Sequence, residues 1–171
     1  MNNAAYKKLD YSLSLISTAA DGKNFGCIIN SLHQVTSSRP PKFTLSLNND
    51  SATSAALKKS GVAAVTLLSQ DADEKIVNEF GYKSGRAIDK FAAFPFEKDE
   101  NGCPWLREGM VSRLSLRVTE TVAIGSYTLF ICELTEAEVL ADGDCLTVKA
   151  LENRGKDAPP AAPVYHEVGP D

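Results

Sequence analysis

Residues 22–41 read GKNFGCIINSLHQVTSSRPP, and this stretch sets the antiparallel pairing from which the rest of the prediction follows. Before it, residues 11–18 alternate between polar and apolar side chains, a pattern typical of a strand. The intervening Asp21-Gly22 favours a tight hairpin turn, because glycine adopts positive φ without steric cost. Residues 25–35 are therefore predicted to form the return strand, which ends before Pro40-Pro41 because proline interrupts sheet pairing.

Farther along the chain, short strands are interrupted by two predicted helices. The polar side chains at 48–51 can cap a helix over 52–60, and Gly61 ends it. Asp71 followed by Glu74 resembles a capping box for a second helix, which runs through Phe80 and ends at Gly81. Further strands are predicted over residues 43–47, 62–68, 113–119, 128–134 and 145–150, with an irregular segment over 82–109.

Many short strands at turn-spaced intervals predict a mainly β fold, an antiparallel, closed or nearly closed barrel with two short helices. We expect a single domain over residues 1–171, whose proline-rich end from about residue 153 forms an extended C-terminal arm. Residues 62–68 and 128–134 are apolar on both strand faces and need cover outside the barrel as well as inside. A second copy of the chain would supply this cover, so we expect a homodimer.

Composition narrows the class of function. The 171 residues are 43% apolar, with a formal net charge of −4, which argues against a nucleic-acid binder. No apolar run approaches the roughly 20 residues of a membrane helix. The four cysteines are far apart and form no Cys-x-x-Cys pair, which favours a cytoplasmic protein with reduced thiols. The two histidines have no neighbouring ligands at metal-binding spacing, so no metal site is expected.

The start of the first predicted helix is a candidate anion site. Free N–H groups and the helix dipole favour an anion there, and Ser51, Thr53 and Ser54 add hydroxyl donors. Further polar contacts can come from Asn30, Gln34 and Thr36, and positive charge from Lys83, Arg86 and Lys90. Each part also has a purely structural interpretation, because serine and threonine cap helices and basic loops are commonly solvated.

Five stretches together resemble the flavin reductase-like family of FMN-binding split barrels, an antiparallel, Greek-key-like fold. The first is residues 22–41, where a small residue, an asparagine, Gln-Val-Thr-Ser and a Pro-Pro pair follow one another. The others, in order, are 48–54 ending near Thr53, 80–91 (FGYKSGRAIDKF), 102–106 (GCPWL) and 155–165 (GKDAPPAAPVY). The last is similar to the C-terminal arm of the branch that contains flavoredoxins and the flavin domains of high-molecular-weight rubredoxins.

This resemblance implies an FMN cofactor and NAD(P)H as co-substrate. It implies FMN contacts from Asn30, Gln34, Val35, Thr36, Asn48, Ser51, Thr53, Lys90 and Tyr165. Among these, Asn30 and Gln34 would line the flavin, Thr53 with Ser51 would bind its phosphate, and Lys90 would bring a cation to the phosphate or ribityl chain. Tyr165 would pack on or near the flavin, from its own or the other subunit. Such a site needs no catalytic triad, because the flavin itself accepts the hydride.

One position departs from the family pattern. Relatives commonly carry Gly-Asp-His before a Leu-Phe-Ile-Gly run, where this chain has Gly125-Ser126-Tyr127 and then Thr-Leu-Phe-Ile-Cys. The resemblance places position 127 near the nicotinamide or flavin, so Tyr127 is the candidate catalytic residue. It can stack or donate a hydrogen bond there, but unlike histidine it cannot become cationic near neutral pH.

Three functions follow as hypotheses. The first is an NAD(P)H:FMN oxidoreductase that passes electrons to an acceptor. The second is a flavoredoxin-like electron carrier, with tightly held FMN reduced by a partner such as rubredoxin or ferredoxin instead of by NAD(P)H. The third is a barrel that binds no flavin and serves as an interaction module. The sequence does not separate NADH from NADPH, nor FMN as a resident group from free flavin as a substrate.

Overall fold

The computed structural model describes residues 3–86 and 88–160. The strands are β1 Ser14–Ala20, β2 Lys23–Ile29, β3 His33–Gln34, β4 Lys42–Asn48, β5 Val62–Leu68, β6 Glu97–Lys98, β7 Pro104–Trp105, β8 Met110–Ile124 and β9 Tyr127–Val139. The α-helices are α1 Ala52–Ser60, α2 Glu74–Val77 and α3 Val148–Asn153. Short 3-10 segments span Asn3–Lys8 and Lys90–Ala93, and a π-helical turn spans Asn78–Tyr82.

Seven strands form one sheet in the order β2-β1-β5-β8-β9-β4-β3, and β6 pairs with β7 separately. Every pairing is antiparallel. The β1–β2 hairpin turns at Asp21 and Gly22, both of which have positive φ, as the Asp-Gly signal predicted. The predicted mainly β, antiparallel split barrel with short helices is confirmed, although the irregular segments contain more short helical turns than expected.

A single serine links the two ends of the sheet. The Oγ atom of Ser31, just after β2, donates to the carbonyl oxygen of Ser46 in β4 at 3.0 Å. It also accepts from the backbone N–H of Ser46 at 3.0 Å. Because β2 is one end of the sheet and β4 lies next to the other, this hydroxyl closes the barrel without a continuous backbone ladder.

Two apolar clusters lie on opposite sides of this sheet. The barrel interior contains Ile16, Cys27, Ile29, Leu45, Leu47, Leu57, Ala63, Val65, Leu116, Phe130 and Cys132. The outer cluster covers β1 and β2 with residues from α2, α3 and the 80–91 segment, including Ile76, Phe80, Phe91 and Leu151. A third group packs Ala64 of β5 against Cys103 and Trp105. Cys103 and Trp105 therefore cover the outer face of β5 at Ala64 from within the same chain.

The return strand is shorter than predicted. Residues 25–35 were expected to pair continuously, but β2 ends at Ile29, which pairs with Ser14, the first residue of β1. Because its partner strand stops there, the chain crosses to β4, and His33 and Gln34 pair with Thr44 and Phe43 instead. This crossing carries the polar stretch 30–36 from one end of the sheet to the other.

The second helix begins later than predicted. Asp73, and not Asp71, is its cap, because the Asp73 carboxylate accepts from the backbone N–H of Lys75 at 2.8 Å. The backbone N–H of Asp71 instead donates to the Ser69 hydroxyl at 3.1 Å. The α-helix is only one turn long and widens into the π-helical turn that places Phe80 in the outer cluster.

Residues 145–150 do not form the predicted strand. Isolated bridges at Cys145 and Thr147 lead into α3, whose first turn is capped by the Thr147 hydroxyl, which accepts from the N–H of Ala150 at 3.2 Å. Helix α3 ends at Asn153, where the extended arm was predicted to begin, and most of that predicted arm, residues 161–171, lies outside the described part. The segment 82–109, expected to be irregular, contains a 3-10 turn and the β6–β7 pair. Among the described residues, every helix is too short or too polar to traverse a bilayer.

Candidate functional site

A cavity of about 220 Å³ lies where β4 gives way to α1. Helix α1 supplies one wall, Cys27 of β2 lies at its base, and the 80–90 segment closes the opposite side. Its lining residues are Cys27, Asp50, Ser51, Ala52, Thr53, Phe80, Gly81, Tyr82, Lys83, Ser84, Gly85, Lys90 and Pro160. The structure thus brings together Ser51, Thr53 and Lys90, three of the residues singled out from the sequence.

The start of α1 keeps its donors available. Ser51 is the N-cap residue, yet its side chain makes no capping hydrogen bond to the helix. Thr53 is only 3% exposed, and the Ser54 hydroxyl is buried with no hydrogen-bond partner among the described residues. Uncapped N–H groups together with buried hydroxyls favour an anion at the helix start, where the dipole is positive. The purely structural alternative, a self-capped helix, does not fit this geometry.

Lys90 is a buried cation that faces neutral partners. It is 4% exposed, and its Nζ donates to the carbonyl oxygens of Gly26 at 3.2 Å and Phe80 at 3.4 Å. Within residues 3–86 and 88–160, no carboxylate oxygen lies within ion-pair distance of Nζ. Burial therefore lowers the pKa of Lys90, with nearby Cys27 and Glu79 opposing the shift. An anion in the cavity would pair with the Lys90 ammonium and so offset the cost of burying its charge.

The other two basic residues of the predicted cluster behave differently. Arg86 donates from Nη2 to the carbonyl oxygen of Asp50 at 2.5 Å, which ties the 80–90 segment to the loop before α1. Lys83 instead forms an ion pair with Glu79 at 2.5 Å, one helical turn earlier. Of the three cations, Lys83 is therefore the one already neutralised by a carboxylate.

Cys27 is a buried core residue that also lines the cavity, a position that the sequence analysis did not assign to it. Its thiol lies in the interior cluster, but it also forms the base of the cavity within hydrogen-bonding reach of Thr53 and Ser51. Burial raises the pKa of the Cys27 thiol, so it is present as the neutral thiol. The sequence did contain a signal for this position. Lys23, Phe25 and Cys27 occupy alternate positions of β2, so all three lie on one face of the strand, and this face extends beyond the core.

Residues 30–36, predicted to supply further polar contacts, run from the end of β2 to the loop after β3, outside this cavity. Asn30, just after β2, is 3% exposed, whereas Gln34 and Val35 are exposed and Thr36 is half-buried, on and after β3. The Gln34 amide donates to the carbonyl oxygen of Thr36 at 2.9 Å, and the Thr36 hydroxyl accepts from the N–H of Lys42 at 2.8 Å. None of these four residues lines the described cavity; Gln34, Val35 and Thr36 lie on and after β3, beside β4, whereas Asn30 is buried after β2.

Asn48 and Tyr127 are direct cross-strand partners. They face each other in the β4–β9 ladder, at the end of β4 that leads into α1. The Asn48 side-chain oxygen accepts from the N–H of Asp50 at 2.9 Å and so shapes the loop before α1. Tyr127 is half-buried at the first position of β9. Tyr165, the remaining predicted contact, lies outside the described residues.

A family model described as "Flavin reductase like domain" matches residues 6–150. The chain belongs to this family. It is accordingly an oxidoreductase of the flavin reductase type, which confirms the resemblance and the enzyme class inferred from the sequence.

Individual relatives agree with this assignment. The chain is 30% identical over 169 residues to a "Ferric-chelate reductase (NAD(P)H)" of Archaeoglobus fulgidus, covering 98% of this chain and 99% of the relative. It is 32% identical over 148 residues to a "High molecular weight rubredoxin" of Moorella thermoacetica, covering 86% of this chain and 64% of the relative. The crystal structure of an FMN-binding protein from Thermus thermophilus shares the fold, with a TM-score of 0.69 and 20% identity over 78% of this chain and 74% of that one.

The residues of the cavity fit the phosphate end of a flavin mononucleotide. The start of α1 has no side-chain cap, and the buried Lys90 ammonium contacts only carbonyl oxygens among the described residues, so a phosphate would supply the acceptor and the negative charge that both lack. Phosphate oxygens accept several hydrogen bonds and carry negative charge, which suits backbone N–H groups, hydroxyls and an ammonium together.

Proposed function

We propose that this flavin reductase family member binds FMN and transfers hydride from NAD(P)H to it, passing the electrons onward to an acceptor. The observation that carries the proposal is the cavity at the start of α1, where the buried Lys90 ammonium contacts carbonyl oxygens and, among the described residues, forms no ion pair. The similarity to a reductase named for NAD(P)H over nearly the whole of both chains supports the co-substrate. The FMN-binding protein of the same fold supports the cofactor.

The chain's own residues would act mainly by binding and orienting. Ser51 and Thr53 would donate to the phosphate, while Lys90 would neutralise it within the cavity. Arg86 would hold the loop before α1 in place through its bond to the Asp50 carbonyl. When bound, the flavin supplies the hydride-accepting chemistry, so no protein nucleophile or general base is required.

The ring system would lie along residues 30–36, on the path that leads from the cavity toward β3. The buried Asn30, the exposed Gln34 and Val35 and the half-buried Thr36 would offer side-chain and backbone groups to a planar heterocycle there. Asn48 and Tyr127 lie at the neighbouring end of β4 and β9, where Tyr127 would contact the flavin or the nicotinamide. Correct placement of the two rings is what the protein contributes to the reaction.

We propose a small redox partner as the acceptor, either a rubredoxin- or ferredoxin-like protein or free flavin. The relative named as a rubredoxin supports an electron-transfer route of this kind. A carrier that cannot use NAD(P)H is supported only by Tyr127 in place of the usual histidine. The full-length similarity to a reductase named for NAD(P)H favours direct use of the nucleotide.

We also propose that the chain forms a homodimer in the cytoplasm. Beyond its pairing with β5, which ends at Arg117, strand β8 continues to Ile124 with one edge unpaired. Val122 is 44% exposed and Ile124 is 54% exposed on this extension, which a second copy would cover. Cys27, Cys103 and Cys132 are buried free thiols, as expected in a reducing compartment.

Titration of the purified protein with FMN, followed by flavin fluorescence, tests the cofactor directly. Addition of NADH or NADPH under anaerobic conditions should then bleach the flavin absorbance at a rate that saturates with nucleotide. FMN binding without bleaching by either nucleotide would instead establish the carrier. Absence of FMN binding would reject both the reductase and the electron carrier, and would favour the interaction module that binds no flavin. Sedimentation at micromolar concentration gives the oligomeric state independently.

A further inference from the structure

The turn between β8 and β9, formed by Gly125 and Ser126, is bonded to the loop that precedes α1. The backbone N–H of Asn49 donates to the carbonyl oxygen of Ser126 at 2.8 Å. The side-chain Nδ2 atom of the same asparagine donates to the Gly125 carbonyl oxygen at 3.5 Å. Because Tyr127 directly follows this turn, Asn49 holds the first residue of β9 in place relative to the loop.

The side-chain oxygen of Asn49 makes two further contacts. It accepts from the Thr128 hydroxyl at 2.7 Å and from the Lys58 ammonium at 2.9 Å. Thr128 is 4% exposed and pairs with Leu47 in the β4–β9 ladder, whereas Lys58 lies in the last turn of α1. One amide group therefore joins the start of β9 both to the turn before it and to helix α1. Only a side chain with a donor and an acceptor at this spacing can make all three bonds.

These bonds serve the geometry of the site and not its occupancy. Asn49 itself does not line the phosphate cavity, although Asp50 and Ser51, the next two residues, do. Asn49 is exposed, so water would satisfy its amide if these bonds were absent, and no buried polar group depends on them for the amide's sake. Their consequence is to set the position of Tyr127 relative to the residues that line the cavity.

We propose that Asn49 is a positioning residue for hydride transfer, which holds Tyr127 in a fixed place relative to the flavin phosphate. The inference rests on the proposed function, since it requires the phosphate at the start of α1 and the flavin or nicotinamide beside Tyr127. Hydride transfer depends steeply on how the two rings are placed, so a small displacement of the first residue of β9 slows it. The contacts that bind the phosphate are not altered by such a displacement.

The test measures FMN affinity by fluorescence titration and the rate of FMN reduction by NADH or NADPH in stopped flow. Asn49→Ala should slow reduction about five- to twentyfold at saturating nucleotide, while FMN affinity changes less than about twofold. Asn49→Asp keeps the acceptor oxygen but loses the donor to Gly125, and its rate should lie between those of wild type and Asn49→Ala. Asn101→Ala is the matched control and should be reduced as fast as wild type. It removes an amide that donates to the neighbouring Glu100 in the turn between β6 and β7.

A second background tests whether Asn49 acts through Tyr127. In Tyr127→Ala, which lacks the ring that is to be positioned, the further change Asn49→Ala should slow reduction less than about twofold. Urea unfolding of each flavin-free variant establishes that it is folded.

Three results would overturn the inference while leaving the proposed function intact. One is an unchanged reduction rate in both Asn49 variants. Another is an equal loss of rate from Asn49→Ala in the wild-type and Tyr127→Ala backgrounds, which would mean that Asn49 acts elsewhere. The third is a loss of FMN affinity as large as the loss of rate, which would assign the amide to phosphate binding. Failure of wild type to bind FMN, or to be reduced by either nucleotide, would reject the proposed function, and this inference with it.

Discussion

The Lys90 ammonium donates to the carbonyl oxygen of Gly26 at 3.2 Å, across 64 residues of sequence. Gly26 permits this approach because it has no side chain; a Cβ there would lie 3.2 Å from the Phe91 ring and from the Ile16 carbonyl oxygen. The 3-10 turn that begins at Lys90 is thereby pressed onto β2, with its charge directed toward the start of α1. This contact connects the outer cluster to the phosphate cavity.

Replacing Lys90 with methionine should weaken FMN binding about ten- to hundredfold, which corresponds to roughly 1.5–3 kcal/mol for a charge-assisted hydrogen bond. Methionine keeps the length and apolar stem of lysine but supplies no charge. Fluorescence titration measures the change, and Lys98→Met is the matched control on an exposed strand. Equal FMN affinities in Lys90→Met and wild type would contradict the assignment of Lys90 to the phosphate.

The pH dependence of FMN binding should also come from Lys90. Burial lowers its pKa in the folded protein, so the ammonium is lost at a lower pH there than in the unfolded chain. Phosphate binds the charged form, and FMN affinity should therefore fall as pH rises through the folded pKa of Lys90. Because the unfolded chain holds more protons between the two pKa values, stability without FMN should rise with pH across the same window. Both trends should be absent in Lys90→Met; parallel profiles in the two proteins would refute this origin.

Thr53→Val should weaken FMN binding by about 1–3 kcal/mol, because it removes a buried donor from the phosphate without changing side-chain shape. Thr53→Ser keeps the hydroxyl and should bind FMN nearly as wild type does. Thr53→Val also removes the contact with the Cys27 thiol, which can lower stability. Urea unfolding of the flavin-free proteins measures that loss of stability and so separates it from the loss of FMN affinity. A folded Thr53→Val variant with unaltered affinity would place the phosphate elsewhere.

Local sequence signals predicted most helices and strands, whereas contacts between distant segments determine which residues meet at the candidate site. The boundary between α1 and β5 was predictable because Gly61, which has a φ of 70°, ends the helix and lies directly before the strand in sequence. Helix α3 was mistaken for a strand because its apolar residues follow a turn, and a single Thr147 hydroxyl determines its start. The burial of Lys90 depends on its contacts with Gly26 and Phe80, and the contact of Cys27 with Thr53 joins β2 to α1; the sequence contains no local pattern for either contact.

Ser31→Ala should destabilise the barrel by about 1–3 kcal/mol, because the Ser46 N–H and carbonyl both lose their partner across the gap between the sheet ends. The change should also weaken FMN binding, since Ser31 follows Asn30 on the segment proposed to hold the flavin. Urea denaturation with and without FMN measures both effects. Ser38→Ala, which removes only local bonds to the Thr36 hydroxyl and the Pro40 carbonyl, is the control for stability and should have little effect on it. Similar losses in the two variants would mean that Ser31 does not close the barrel.

Tyr127→His should accelerate hydride transfer from NAD(P)H while leaving FMN affinity unchanged. Tyr127 faces Asn48 at the end of β4, beside the loop that leads into the phosphate site, but it does not line that cavity. A histidine there can carry positive charge near neutral pH, which would favour a contact with the anionic co-substrate; tyrosine offers only a hydroxyl and a ring. Stopped-flow reduction of the FMN-loaded protein measures the rate, and Tyr127→Phe isolates the contribution of the hydroxyl. If all three proteins are reduced at the same rate, position 127 does not contact the nicotinamide, and the departure from the family pattern has no consequence for catalysis.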